Sequence, residues 1–275
     1  NRIDTDPRSR CPDRSAGHGL DPVPPVTVNI QLLGPVGVEA DATATAAPAD
    51  RELRLLTELV IAVCLHPDGI ADQNLRSALW PRGACEEVQR AAIARAREWM
   101  GRDDTGQDRL HQDDRGRWRL TSDVRSDWEA FRTICVLGQG DLEIDALRAA
   151  LDLGHGEVFV PPSPGGYTWL AFARAARDAR LLITTVARRA ACLERARGRT
   201  LQARRVLEQG IVMVPLAEPL WRELIRLSAS DGPPAVAAIA DRMHSTLAGR
   251  GIDRPEPETL ELLGRTAPGH VHRTA

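Results

Sequence analysis

The chain has 275 residues, 43% of them hydrophobic, with 36 basic against 38 acidic side chains. That length buries a sizeable core and leaves room for two domains of ordinary size, and the near-balance of charge excludes a bulk polycation built to hold nucleic acid. No lysine occurs, so every basic side chain is arginine, and a phosphate loop, which needs its lysine, is excluded too.

Cys11, Cys64, Cys85, Cys135 and Cys192 are odd in number and far apart, with no CxxC or Cys/His spacing for zinc. Cys64, Cys135 and Cys192 fall on apolar helical stretches, where cysteine is expected to act as a small core residue. A reducing, cytoplasmic compartment is the expectation. No run reaches the ~18 to 20 apolar residues of a membrane span, and no signal-peptide pattern is present. The chain starts at Asn1 without methionine, so it reads as a piece of a longer protein, and a membrane anchor elsewhere in that parent stays open.

In chain order, residues 1–25 are polar, charged and proline-punctuated, the composition of a disordered linker. "VTVNIQLLG" alternates Val26, Val28, Ile30 and Leu32 on one face and predicts a half-buried strand closed by Gly34-Pro35. "VGVEA" is its candidate hairpin partner and "DATATAAPAD" a loop. "RELRLLTELVIAVCLHP" carries Leu53, Leu56, Val60, Val63 and Cys64 at helical spacing and ends at Pro67 and Gly69. "ADQNLRSALWP" predicts a shorter helix, with Asp72 as candidate N-cap and Leu75, Leu79 and Trp80 on its apolar side. "EEVQRAAIARAREWMG", residues 86–101, predicts a third helix that stops at Gly101. "DRLHQDD" and "GRWRLTSD" predict two short strands around an Arg115-Gly116 turn.

From Ser126 onward the pattern is helical. "SDWEAFRTICVLGQG" and "DLEIDALRAALDLGHG" predict a helical hairpin, "VPPSPGGY" a loop, and a long helix follows from 169 to about 197. "GRTLQARRVLEQGIVMVP" and "GPPAVAAIADRMHSTLAG" each open on a glycine. Gly198 and Gly232 lie 34 positions apart, as do Ala203 and Ala237, and this is the period of the tetratricopeptide repeat. Pro215 closes the first unit, and Gly249 stands at the matching place of the second.

The three helices with "ALWP" after the second, the arginine-rich third helix ending "WMG" and the hairpin ending "WRL" resemble the OmpR/PhoB-type winged helix. "SDWEAF", a helical hairpin and tetratricopeptide-like helices ending "PEPETLELL" follow. That order, over about residues 26–265, resembles the actinobacterial antibiotic regulatory proteins, in which a winged helix precedes a bacterial transcriptional activator domain. The same pair closes a set of actinobacterial LysM-containing membrane proteins, which the chain also resembles. The resemblance implies an α+β fold: a winged helix-turn-helix followed by an all-α, tetratricopeptide-like domain. The chain then divides into a disordered linker (1–25), a winged-helix domain (26–126), an activator domain (127–265) and a disordered tail (266–275).

In a winged helix the third helix enters the major groove and the wing touches the backbone or minor groove. Arg90, Arg95, Arg115, Arg117 and Arg119 are therefore the candidate DNA contacts. The best apolar stripe turns Gln89, Ala92, Ile93, Ala96 and Met100 inward, leaving Glu87, Ala91, Ala94 and Glu98 outward between Arg90 and Arg95. One glutamate can accept from a cytosine amino group. Two, with Glu86 beside them, oppose the phosphate attraction that supplies most of the affinity. Residues 26–126 hold 13 arginines against 16 acids, a net of −3, where a DNA-binding domain usually shows a basic footprint. Arg115, Arg117 and Arg119 share one strand face and could grip a backbone, opposed by Asp113 and Asp114.

The six tryptophans are expected in the core or between domains, Trp128 and Phe131 docking the helical domain on the winged helix. His66 and His111 read as caps or surface residues. Asp103-Asp104 and Asp113-Asp114 read as turn residues, since neither has EF-hand spacing. No nucleophile–base–orienter set, metal site, cofactor motif or small-molecule site emerges, so no enzyme is expected. Two functions stay open. One is a DNA-binding transcription regulator whose helical domain meets the transcription machinery or a second copy. The other is a protein-interaction module in the cytoplasmic part of a LysM-type envelope protein.

Overall fold

The computed structural model describes residues 28–39, 50–137, 143–162, 167–170 and 173–266. The linker expected at 1–25, nearly all of the loop at 41–50 and the tail beyond 266 lie outside the described residues.

β1 (Val28–Gln31) buries Val28 and Ile30, as the alternation predicts, and runs on into buried Leu32 and Leu33. After the Gly34-Pro35 turn, β2 (Gly37–Glu39) returns antiparallel with Val38 opposite Ile30. α1 (Asp50–Cys64) is the central helix, buried without interruption from Leu56 to Val63, which is what an apolar-all-round helix requires. His66 caps its end as expected, Nδ1 donating to the Ala62 carbonyl at 2.7 Å.

β3 (Ile70–Ala71) leads into α2 (Asp72–Leu79), which buries Leu75 and Leu79. Asp72 is not the N-cap: Ala71 holds that position, and Asp72 is already helical. Its carboxylate is claimed by more distant donors, accepting Arg76 Nε at 2.5 Å and Trp118 Nε1 at 2.9 Å. α3 (Glu86–Met100) covers the expected residues and ends at Gly101 with φ 67°. β4 (Leu110–Gln112) and β5 (Arg117–Leu120) form the expected antiparallel wing, and β3 adds to the other side of β5. β6 (Val124–Ser126) then pairs parallel with β1 in a sheet of order β2-β1-β6.

The rest is helical: α4 (Asp127–Leu137), α5 (Glu143–Asp152), α6 (Arg174–Ala196), α7 (Thr200–Met213), α8 (Glu218–Ser228), α9 (Pro233–Ala248) and α10 (Pro257–Thr266). Successive helices from α4 to α9 pack as neighbours, as short connections favour. The fold is thus α+β, a winged helix followed by a helical domain. α6 starts at Arg174, five residues later than the pattern predicts, and Trp169 donates Nε1 to Glu58 on α1 at 3.0 Å. Cys192 faces solvent rather than the core, while Cys64 and Cys135 are half-buried. Burial pushes the Cys64 thiol up to about 12 and that of Cys135 to about 11. Ala203 is buried and Ala237 half-buried, so the two positions related by the 34-residue offset differ in environment.

Two buried carboxylates join the halves. Asp127, the first residue of α4, accepts the backbone N–H groups of Leu32 at 2.8 Å and Leu33 at 3.0 Å. Glu58 accepts Tyr167 N–H at 2.7 Å as well as the Trp169 indole. Burial pushes both carboxyls above their ordinary values despite these bonds. Between them, a strap from the helical half runs beside the sheet: His155 and Phe159 donate backbone N–H to Leu33 and Leu32, and Val36 donates to Val160, all at 2.9 Å. Trp128 and Phe131 are buried and stack at 5.7 Å, with the Phe159 ring edge-on to Trp128 at 6.5 Å.

Candidate nucleic-acid interface

α3 is seated by its inward face, where Ile93, Ala96, Trp99 and Met100 are buried. Gln89 also points inward and is occupied there. Its carbonyl oxygen accepts Arg76 Nη1 at 2.5 Å, and its Nε2 donates to the Ala84 carbonyl at 3.1 Å. Glu87, Ala91, Ala94 and Glu98 are all exposed, as the periodicity predicts.

Both candidate arginines of α3 already have acids. Arg90 Nε lies 3.6 Å from Glu86. Arg95 reaches Glu52 on α1 at 2.9 Å and Glu98 at 2.7 Å, and these partners, Glu52 foremost, raise its pKa. Five residues apart, the two arginines stand about 140° apart around the helix and flank the acidic strip from opposite sides. Towards the C-terminal end, Arg97 and Arg102 share Asp108, whose carboxyl is held below its ordinary value, chiefly by Arg97. Exposed pairs of this kind are worth about 0 to 1 kcal/mol, so a phosphate could displace an acid from its arginine. The acid would nevertheless remain, and a carboxylate ~4 Å from a phosphate costs about 1 kcal/mol even in water.

The wing repeats the arrangement. Asp113 Oδ1 accepts the backbone N–H groups of Arg117 at 2.9 Å and Arg115 at 3.0 Å, shaping the turn at Gly116, where φ is 71°. Its Oδ2 takes Arg117 Nε at 3.1 Å and Arg119 Nε at 3.0 Å. The backbone bond from Arg117 leads in lowering this carboxyl to about 2. Arg119 also donates to the Asp68 carbonyl at 2.9 Å, across Gly69. There φ is 81°, and a Cβ would stand 3.0 Å from that of Arg117, so only glycine lets the chain pass. Of the three wing arginines only Arg115, at the exposed tip, has no side-chain partner among the described residues. Asp103 likewise builds a turn, accepting N–H from Thr105 at 2.9 Å and Gln107 at 3.0 Å.

The five candidates therefore sit where the sequence places them, two on α3 and three on the wing, and four of them are paired with acids, Arg117 and Arg119 sharing one. Sequence reasoning missed the tie from Asp72 to the wing and the exposed Arg82 in the turn before α3. No helix among the described residues is long and apolar enough to cross a membrane. Nor do they contain a group of three or more His, Cys, Asp or Glu side chains that could hold a metal ion.

No protein-family model matches the chain, and no curated protein matches it. Among solved structures it is similar to Mycobacterium tuberculosis EmbR, determined in complex with a low-affinity phosphopeptide. The TM-score is 0.56 at 21% identity, over 90% of this chain and 68% of that one. At this identity the likeness is one of fold, and its extent takes in both halves.

Proposed function

We propose that the chain is a transcription-regulator-like protein, a winged-helix domain over 26–126 joined to an activator-type domain over 127–265. The likeness to EmbR across both halves and the order of the sequence motifs support this reading. The observation that carries it is the placement of α3: a third helix with one face fixed on α1 and the other open to solvent beside a β-hairpin wing. In this reading Arg90, Arg95, Arg115, Arg117 and Arg119 line the DNA side, and Trp128 and Phe131 dock the helical domain. The helical domain over 127–265 is tetratricopeptide-like, its helices between 169 and 249 stacking as antiparallel pairs, and it meets a protein partner. The peptide held by EmbR is a precedent for protein contact only. The proposed site of action is the cytoplasm.

The acids on α3 set the strength of the DNA contact. Glu86 and Glu87 complement the positive end of the helix dipole, so they serve the helix while repelling phosphates from it. Duplex affinity through this face is low at physiological salt. The same acids favour a second reading, in which the module has given up DNA and serves as the cytoplasmic part of a LysM-type envelope protein. Titration of labelled genomic fragments with the wild type and with Glu87→Gln/Glu98→Gln separates the two. Tighter, non-specific binding by the variant supports a weak DNA-facing helix. Sequence-specific binding lost in the variant would make the acids base readers, and no binding by either protein favours the interaction module.

A further inference from the structure

Among the described residues, α6 in the helical half carries a line of exposed arginines, although Arg189 is paired with Glu143 on α5 at 2.8 Å. α6 holds six arginines and two acids, a net of +4, whereas α3 holds three of each. The placement matters more than the count. At 100° per residue, Arg177, Arg188 and Arg195 point within about 20° of one another, and Arg177 and Arg195 are five full turns, roughly 27 Å, apart. All three are exposed. Asp178 points about 100° away from this line, and Glu194 is fully buried under Arg148 and Arg199, at 3.7 and 4.0 Å. Arg188 lies 3.7 Å from Glu223 on α8, while Arg177 and Arg195 have no acid partner among the described residues. Arg174, with 88% of its side chain exposed, lies about 60° off this line at its N-terminal end and is paired with Asp178 at 3.4 Å.

We propose that this ridge binds the phosphate backbone of a nucleic-acid duplex, so that the chain's principal polyanion contact lies on α6 rather than on the recognition helix. A duplex carries about one charge per 1.7 Å of axis, so a ridge of ~27 Å always has several phosphates within reach. The planar guanidinium donates two parallel bonds to a phosphate. An acidic peptide would ask for apolar anchors beside the charges, and the ridge offers one exposed large apolar side chain, Leu181. A bilayer surface would need the helix's apolar face, which is packed into the bundle. The inference holds whether or not α3 touches DNA.

The test titrates the full chain against a labelled mixed-sequence duplex of about 30 base pairs between about 50 and 200 mM salt. Arg177→Ala/Arg188→Ala/Arg195→Ala should weaken binding at least tenfold at the low-salt end. It should also flatten the plot of log affinity against log salt by about 2.7, three contacts at ~0.9 each. The far-ultraviolet circular dichroism spectrum and melting temperature should stay those of the wild type, because all three side chains are exposed. Arg115→Ala/Arg117→Ala/Arg119→Ala should change the slope less. The proposal is overturned if the ridge variant keeps the wild-type slope, or if the wild type shows no duplex binding at about 50 mM salt. Retention on vesicles rich in anionic lipid without retention of duplex would also overturn it.

Discussion

α3 and α6 are both arginine-bearing amphipathic helices, yet they present opposite electrostatics. On α3 the acids fall three or four residues from the arginines, or on a neighbouring element, so the cations close on Glu86, Glu98, Glu52 and Asp108. On α6 Asp178 pairs with Arg174, and Glu143 and Glu223 on neighbouring helices take Arg189 and Arg188, but Arg177 and Arg195 stand exposed with no acid partner among the described residues. A helix's place in the fold thus does not decide whether it attracts a polyanion. What decides it is whether an acid, on the same helix or on a neighbour, lies within reach of each arginine.

This contrast presumes that both helices are carried in one frame, and the strongest way to break it is to cut the seam. Asp127→Ala leaves two buried N–H groups without their charged acceptor and should cost about 3 kcal/mol in urea unfolding. Asp127→Asn, which keeps one acceptor oxygen, should cost about half as much. The next effect concerns how α6 is set. Gly210 on α7 lies so close that an added Cβ would stand 2.7 Å from that of Ala187 and 3.0 Å from Leu220. Gly210→Ala should therefore overpack the α6–α7 contact by about 2 kcal/mol, read as a lower melting temperature.

Making α3 resemble α6 gives a smaller change. Glu87→Gln/Glu98→Gln should raise non-specific duplex affinity roughly tenfold at low salt and leave stability nearly unchanged. The smallest expected effect is the titration of the wing. The Asp113 carboxyl lies at about 2 in the fold against an ordinary 3.8. Its contribution is thus fully present above the unfolded value and lost as pH falls through the folded one. Asp113→Asn should lower the melting temperature at pH ~5 and converge with the wild type as pH approaches about 2. A difference independent of pH would place the stabilisation in the turn bonds rather than in the charge.

Local pattern made much of this legible. α3 and its exposed acids follow from periodicity alone, and the wing follows from two short strands around Arg115-Gly116. What escaped depends on partners far along the chain. The parallel pairing of β6 with β1 joins residues almost a hundred positions apart, and nothing within three residues of Val124 encodes that register. Asp127 looks like an ordinary first-turn acid until the Leu32 and Leu33 amides arrive. Glu58 did carry a signal, being an acid beside the wholly apolar run "LVIAVC" of α1. The ridge of α6 was legible as well: the angles of Arg177, Arg188 and Arg195 need only the sequence and a helix boundary.

The strap that lies against the connection between β1 and β2 has a consequence for synthesis. Leu32 and Leu33 are made early, but their hydrogen-bonding partners, Asp127, His155 and Phe159, leave the ribosome about a hundred residues or more later. At the usual ~5 to 20 residues per second, these groups wait roughly 5 to 25 seconds for their partners, and β1 waits roughly 5 to 20 seconds for β6 to close its free edge. Such an edge is a template for pairing with another nascent chain. A ribosome-stalled chain ending before Val160 should accordingly be cut readily by protease between Val28 and Glu39, and one extended past α7 should resist there.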